Sequence, residues 1–341
     1  MNKKYYIGIF LLLGVAAAYF IGRSYGVYEP ENKHDQSTIR ALKRKPIKLP
    51  KIDLPKLSYS MPAQNEIDEV TQKLVGLDEG LSISERNDIV WNLRNRNLSQ
   101  QDFRAFYTFL KTNPSQDGPQ LAWHSLKNDL LVFVIEDGRF KESTAQLMID
   151  IINDPEQHEV MREYTLQYIT DFFERHWVNK SPAREIELKE LSTTDKQLQD
   201  TFLKSMWNLL DSTEGPIAGT SLIRLNDLSN YLETISQSKL DREIERMAFE
   251  ETVPVSSRMA ALSVASERGM AHLQKQLKDL TFDQSTTLSL RMAALHSVST
   301  MDPDKDFIDR LSKEIINNQN ANRLLKRAAE LALKKLNKLR G

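Results

Sequence analysis

Apolar residues recur at the three- and four-residue spacing of amphipathic helices from Ala63 to the C-terminus of the chain. Helix-start signals precede several of these segments: Ser82 and Glu85 have the spacing of a capping box, and Asp302-Pro303 combines a cap with a first-turn proline. Short polar connections between the predicted helices indicate antiparallel neighbours. The pattern therefore predicts an all-α fold.

One helical motif is written twice. The sequence "RMAAL" begins at Arg258 and again at Arg291, 33 residues later. Stacked helix pairs repeat at such a period because a single pair cannot bury its apolar face. We therefore predict an α-solenoid of antiparallel helix pairs. The Arg-x-x-x-Leu pairs that we assign to the repeat core are Arg224 with Leu228, Arg258 with Leu262, Arg291 with Leu295, and Arg327 with Leu331.

The segments "VSSRMAALSVASERG" and "LSLRMAALHSVSTMD" resemble HEAT-type repeats, and the resemblance extends over Thr252 to Lys338. It implies a curved solenoid that holds other macromolecules, and it transfers no catalytic residue. The last predicted helix, "NRLLKRAAELALKKLNKLR", sets an apolar stripe against a basic face. We interpret it as a C-terminal capping helix; the alternative is a helix that lies on a membrane surface.

A different pattern opens the chain, where residues 5–22 carry no charge. Eighteen helical residues span about 27 Å, enough to cross a hydrocarbon core. We interpret residues 1–22 as a membrane anchor, and a cleaved signal peptide is the alternative because Ala16, Ala17 and Ala18 offer small residues at a cleavage site. Flanking charges nearly balance, and we favour a single-pass protein with its body on the non-cytoplasmic side. The predicted anchor residues are Tyr5, Phe10, Leu11, Leu12, Leu13, Phe20 and Ile21.

Residues 23–62 show no helical period, and their spaced prolines favour an extended path. We interpret this segment as a basic, Pro-rich linker between the anchor and a solenoid at 63–341. Its cations either keep the linker solvated or contact an anionic surface such as lipid head groups. The candidates for such a contact are Lys43, Arg44, Lys45, Lys48 and Lys51.

The net charge of −1 conceals an uneven distribution. Residues 1–62 carry a balance of +7 and residues 321–341 a balance of +6, whereas residues 63–320 hold 28 Lys and Arg against 42 Asp and Glu. Phosphate contacts need a continuous positive face, so the acidic body disfavours nucleic acid. It favours protein partners, basic ones in particular, with the bilayer contacted through the N-terminal helix. Carboxylates spread over several repeats, such as Glu250, Asp279 and Asp304, are predicted to contribute cumulatively.

Motifs that carry chemistry are missing from the sequence. There is no cysteine, Gly-rich phosphate loop, nucleophile elbow or zinc-protease motif, and Asp302, Asp304 and Asp306 lack the glycine and glutamate of a calcium loop. We therefore predict no cofactor, metal or catalytic residue. The sequence favours a membrane-anchored, non-enzymatic scaffold. The alternatives are a secreted soluble solenoid and a HEAT-like enzyme such as a DNA glycosylase or a bilin lyase.

Overall fold

A computed structural model of the chain describes residues 61–63, 66–76, 81–112, 120–180, 186–188, 191–301 and 303–340. The predicted anchor or signal peptide at 1–22, with its side chains from Tyr5 to Ile21, lies outside the described residues. So does nearly all of the predicted linker, including the cations from Lys43 to Lys51.

Helices make up almost all of the described structure. The helices are α1 (Glu69–Val75), α2 (Ile83–Asn92), α3 (Gln100–Lys111), α4 (Gln120–Asp137), α5 (Lys141–Asn153), α6 (Glu159–Gln167), α7 (Ile169–His176), α8 (Thr193–Leu209), α9 (Gly215–Leu228), α10 (Gln237–Phe249), α11 (Val255–Glu267), α12 (Gln274–Phe282), α13 (Leu288–Thr300), α14 (Lys305–Arg310) and α15 (Arg323–Arg340). Short 3-10 helices lie at Leu93–Asn95 and Ala271–Leu273, and a π-helix lies at Leu311–Ile316. Strands β1 (Val178–Lys180) and β2 (Ile186–Leu188) form an antiparallel hairpin in which Asn179 pairs with Glu187.

The helices pack as successive pairs in two layers. Each pair places its first helix against its second: α1 with α2, α3 with α4, α5 with α6, α8 with α9, α10 with α11, α12 with α13, and the π-helix with α15. The second helices also pack against one another in chain order, from α2 through α4, α6, α9, α11 and α13 to α15. We call this row the second-helix layer. The predicted all-α class is confirmed, and the arrangement is compatible with a helical repeat.

Local sequence signals account for the helix starts. The hydroxyl of Ser82 accepts the backbone N–H of Glu85, whose carboxylate accepts the N–H of Ser82 at 2.8 Å, so the predicted capping box is present. The predicted cap at Asp302-Pro303 is displaced. Helix α14 begins at Lys305, and the side chain of Asp304 accepts the N–H of Phe307 at 2.9 Å.

Small residues let the second helices approach closely. A Cβ atom built on Gly219 of α9 would lie 3.0 Å from the Cβ of Ala260 in α11. Nearby, the hydroxyl of Ser257 donates to the carbonyl of Gly215 at 2.6 Å and crosses the same interface. The small residues in "RMAAL" and "GPIAGTS" therefore set the distance between neighbouring second helices.

The repeated arginine closes the end of the preceding helix. The Nε atom of Arg162, Arg258 or Arg291 donates to a carbonyl ten residues earlier, and the acceptors are Ile152, Ala248 and Thr281, at 3.3, 3.2 and 3.1 Å. Each acceptor is the penultimate residue of a first helix. A cation at this place satisfies a carbonyl that has no partner within the helix and complements the helix dipole. Arg86 and Lys127 bind the penultimate residues Leu74 and Leu110 in the same way.

Two of the four predicted Arg-x-x-x-Leu pairs need correction. Arg224 binds Asp227 in its own helix at 2.8 Å, and buried Leu222 takes the place that Leu262 and Leu295 have in their helices. The residue of α9 equivalent to the repeated arginine is therefore Ala218, six positions before Arg224. Leu228, Leu262 and Leu295 are buried, but Leu331 is 63% exposed and lies outside the core, as does exposed Arg327.

Candidate protein-binding face

Acidic side chains recur at one fixed sequence position in successive helix pairs. The ninth residue after the position of the repeated arginine is acidic in four successive units. This position is held by Lys127, Arg162, Ala218 and Arg258. We call the four acidic residues the acidic ladder; they are Glu136, Asp171, Asp227 and Glu267. Glu136, Asp227 and Glu267 lie in the second helices α4, α9 and α11, whereas Asp171 lies in α7, which packs against both α4 and α9. The ladder therefore runs from α4 through α7 to α9 and α11.

Neighbouring members of the ladder act on one another. The side-chain amide of Asn226 reaches the carboxylate of Glu267 at 3.4 Å, which brings Asp227 and Glu267 to the same interface. Reduced hydration and the charge of Asp227 raise the pKa of Glu267 above its usual range. Burial likewise raises the pKa of Asp227 against the opposing effect of Arg224, and Glu174 and Asp171 add to the rise.

Three of the four carboxylates lie where a helix disfavours them. Glu136, Asp227 and Glu267 stand in the last turn of α4, α9 and α11, and none of these helices has a basic residue in its last turn. The C-terminal end of a helix carries a partial negative charge, so an anion there is destabilising. Arg268 follows α11 directly, but its guanidinium binds Asp241 at 2.7 Å. The three carboxylates therefore destabilise the free protein electrostatically at the C-terminal ends of these helices.

The members of the acidic ladder differ in how far cations of the same chain neutralise their charge. Glu136 binds Arg94 and lies 3.6 Å from Arg175, so its charge is balanced within the chain. Asp227 has one cation, Arg224, at 2.8 Å. No ion pair of Glu267 is found among the described residues. Among these three carboxylates, the negative charge left over therefore increases from Glu136 through Asp227 to Glu267.

Tyrosine side chains border the ladder. The hydroxyl oxygen of Tyr231 is buried with no hydrogen-bond partner among the described residues. Burial and the charges of Glu174 and Asp227 raise the pKa of Tyr231 far above its usual range. Burial also raises the pKa of Tyr168, which lies within electrostatic range of Asp171. The half-buried rings of Tyr168 and Tyr231 place apolar surface beside the carboxylates, a combination that suits a protein partner with cationic side chains.

The carboxylates singled out from the sequence lie elsewhere. Glu250 ends α10 and pairs with Arg246 at 3.3 Å, and Asp304 pairs with Lys278 at 2.5 Å while it caps α14. Asp279 belongs to α12, a first helix. Glu250 and Asp304 therefore serve contacts within the chain, and none of the three belongs to the ladder.

Counting from Arg224 leads to the wrong member of the ladder in this unit. The residue nine positions after Arg224 is Glu233, which is also acidic, and Asp227 is reached only when counting starts from Ala218. Leu222 could have indicated the correct register, because it follows Ala218 by four residues, as Leu262 follows Arg258. Across the described residues, no group of three or more His, Asp or Glu side chains is placed to hold a metal ion.

Comparison with known proteins gives limited information. No family model matches the chain, and no curated protein matches it. A solved structure of human deoxyhypusine hydroxylase in complex with glycerol is similar over 80% of this chain and 96% of its own, with 13% identity and a TM-score of 0.31. At this TM-score the likeness carries no argument about site or mechanism.

Two predictions from the sequence are corrected. No helix in the described part of the chain is long and apolar enough to cross a membrane, and the prediction of a single-pass membrane protein is not carried further. The prediction of a membrane-anchored, non-enzymatic scaffold is withdrawn as well, since no described helix supplies the anchor. The solved structure named above is that of an enzyme.

Proposed function

We propose that the acidic ladder binds a cationic segment of a protein partner, one that presents Lys or Arg side chains at intervals along an exposed strand or helix. The observation that carries the proposal is the retention of carboxylates at the C-terminal ends of α4, α9 and α11. Such an arrangement lowers the stability of the free protein, and a bound cation relieves the cost. Glu267 and Asp227, with their raised pKa values, form the centre of the proposed contact.

The architecture supports a shallow, extended contact. Stacked helix pairs present surfaces assembled from many units, and the ladder takes one residue from each of four. We further propose that the repeats are of the HEAT type, which is supported by the arginine-to-carbonyl contact that recurs in the pairs ending in α6, α11 and α13. The cationic side chains of the partner meet carboxylates, and its apolar stems pack on Tyr168 and Tyr231.

Affinity for a defined peptide tests the proposal. The full-length protein is titrated into a fluorescein-labelled peptide of alternating Lys and Ser and, separately, into its Glu–Ser counterpart, with fluorescence anisotropy as the readout. The variant Asp227→Asn with Glu267→Gln removes two charges from the ladder. The matched control, Asp200→Asn with Glu251→Gln, removes two exposed charges from α8 and from the turn before α11.

We expect the Lys–Ser peptide alone to bind, and the ladder variant to lose about tenfold or more in affinity, on the scale of one or two charged contacts. The control variant should change the affinity less than about twofold, because it alters only the long-range electrostatic field of the protein, which salt screens. Equal losses in the two variants would show that the peptide senses net charge alone and would contradict the proposal.

A further inference from the structure

The last helix, α15, exposes a face on which leucines alternate with cations. Leu324 is 53% and Leu331 63% exposed, and exposed Arg327 and Lys334 lie between and beyond them. Steps of three and four residues place all four side chains on one side of the helix. We call this the α15 face. Two exposed leucines about two turns apart on one stripe indicate an interaction surface.

A bilayer is a poor occupant for this face. The continuous apolar stripe of α15 runs through Leu325, Ala329 and Leu336, and these three residues are buried against the rest of the protein. A helix that inserts into a lipid surface needs such a stripe to be free. On the exposed side, by contrast, Arg327 lies between Leu324 and Leu331. This mixed apolar and cationic face complements a protein surface on which anions alternate with apolar rings.

The spacing of the α15 face matches the acidic ladder. Arg327 and Lys334 are seven residues apart, which corresponds to about 10.5 Å along a helix. Packed helices are about 8–10 Å apart, and Asp227 and Glu267 stand at the C-terminal ends of two packed helices, α9 and α11. The two surfaces are opposite in charge, since Glu330 is the single carboxylate in residues 321–341. A helix with the α15 face laid across the ladder would therefore set each cation against one carboxylate.

We propose that the α15 face of one copy of this chain docks onto the acidic ladder of a second copy. The inference rests on the proposed function, because it requires the ladder to be a binding face. The contact joins two different surfaces, so it links copies head to tail. It also makes self-association compete with the cationic partner, so that a partner of higher affinity releases single chains.

Charge exchange between two variants tests the proposal. In one variant, Arg327→Glu with Lys334→Glu reverses the α15 face; in the other, Asp227→Lys with Glu267→Lys reverses the ladder. The full-length proteins are followed by sedimentation velocity over a range of concentrations at about 50 mM and about 500 mM salt, where the screening length falls from roughly 14 Å to about 4 Å. Circular dichroism and thermal unfolding confirm that both variants are folded.

We expect the wild-type protein to associate at low salt and to dissociate at high salt. Each variant alone should fail to associate, because its two surfaces then have the same sign, and an equimolar mixture of the two should associate again. A mixture that remains dissociated, or a wild-type protein that never associates, overturns the inference. So does wild-type binding to phosphatidylglycerol vesicles that the α15 variant loses, with no self-association, since this would assign the face to lipid.

The failure of this inference can be told apart from that of the proposed function. The α15 variant keeps the acidic ladder intact, so its affinity for the Lys–Ser peptide should equal or exceed that of the wild-type protein. If it binds the peptide while the mixture of variants stays dissociated, the inference about self-association alone is wrong. If it does not bind the peptide, the proposed function is wrong as well.

Discussion

The Nε atom of Arg258 donates a hydrogen bond to the carbonyl oxygen of Ala248, 3.2 Å away and ten residues earlier in the chain. Arg162 and Arg291 make the same contact in their own pairs. In these three pairs the arginine thus fastens the second helix to the end of the first, and it fixes the register from which the acidic ladder is counted.

Replacing this arginine should weaken the fold. Arg258→Ala removes a charged hydrogen bond and leaves the carbonyl of Ala248 without its partner, and we expect the free energy of unfolding to fall by about 1–3 kcal/mol. Arg242→Ala, at an exposed position of the neighbouring α10, is the matched control and should change it by less than about 0.5 kcal/mol. Urea unfolding measures both, and equal effects would mean that the recurrent contact contributes nothing.

The core leucines of the repeat should be sensitive to truncation. Leu262→Ala and Leu295→Ala each remove a fully buried side chain, and each should cost roughly 2–5 kcal/mol. Leu331→Ala removes a side chain that is 63% exposed and should cost little. Comparable losses at all three positions, measured by urea unfolding, would contradict the burial assigned to α15.

Acidification should destabilise the contact between α4 and α6. The ring of His124 is 3% exposed, its centroid lies 4.2 Å from that of the tilted His158 ring, and neither of its nitrogens has a hydrogen bond among the described residues. Burial, with the charges of His158 and Lys127, lowers the pKa of His124 to about 4. In the unfolded chain it titrates near 6.5, so below that pH the unfolded state takes up the proton first and stability falls.

Between pH 7.5 and pH 5 the contribution of His124 corresponds to at most about 2 kcal/mol lost. His124→Phe keeps an aromatic ring and cannot take up the proton, so its free energy of unfolding should fall less over the same interval. Urea unfolding at both pH values, with the wild-type protein in parallel, gives the comparison. An unchanged pH dependence in the variant would show that His124 does not titrate as its environment indicates.

Removing the charge of a ladder residue should stabilise the free protein. Glu267→Gln keeps an oxygen to accept from Asn226 but removes an anion from the last turn of α11 and from beside Asp227. We expect a small rise in melting temperature at neutral pH, together with weaker peptide binding. The pKa of Glu267 is raised in the fold, so the rise should disappear as the pH falls through that pKa and the carboxylate becomes neutral. A lower melting temperature in the variant at pH 7.5 would show that the carboxylate is structural.

The helical class and the register of the last repeats could be predicted from the sequence, because "RMAAL" combines the arginine, the small residues and the core leucine in one motif. Helix α9 could not be placed in the same way. Ala218 stands where the arginine is expected, and Arg224 imitates it six residues later, since an isolated Arg-x-x-x-Leu spacing is common in any helix.

The acidic ladder depends on that register, and its members come from four separate units. Net charge predicts an acidic body but does not tell which carboxylates are used by the fold itself. Asp304 illustrates the difficulty, because its side chain both caps α14 and pairs with Lys278. Only the packing of α9 against α11 shows that Asp227 and Glu267 adjoin.

Anisotropy titrations of the Lys–Ser peptide against the single variants Asp171→Asn, Asp227→Asn and Glu267→Gln and their triple combination test the central claim most directly. The account predicts that each single change lowers the affinity by a few-fold, that the triple variant loses roughly the product of the three, and that the losses shrink as salt is raised. Affinity that survives the triple change, or that one substitution abolishes in a folded protein, would contradict a binding face shared among successive repeats.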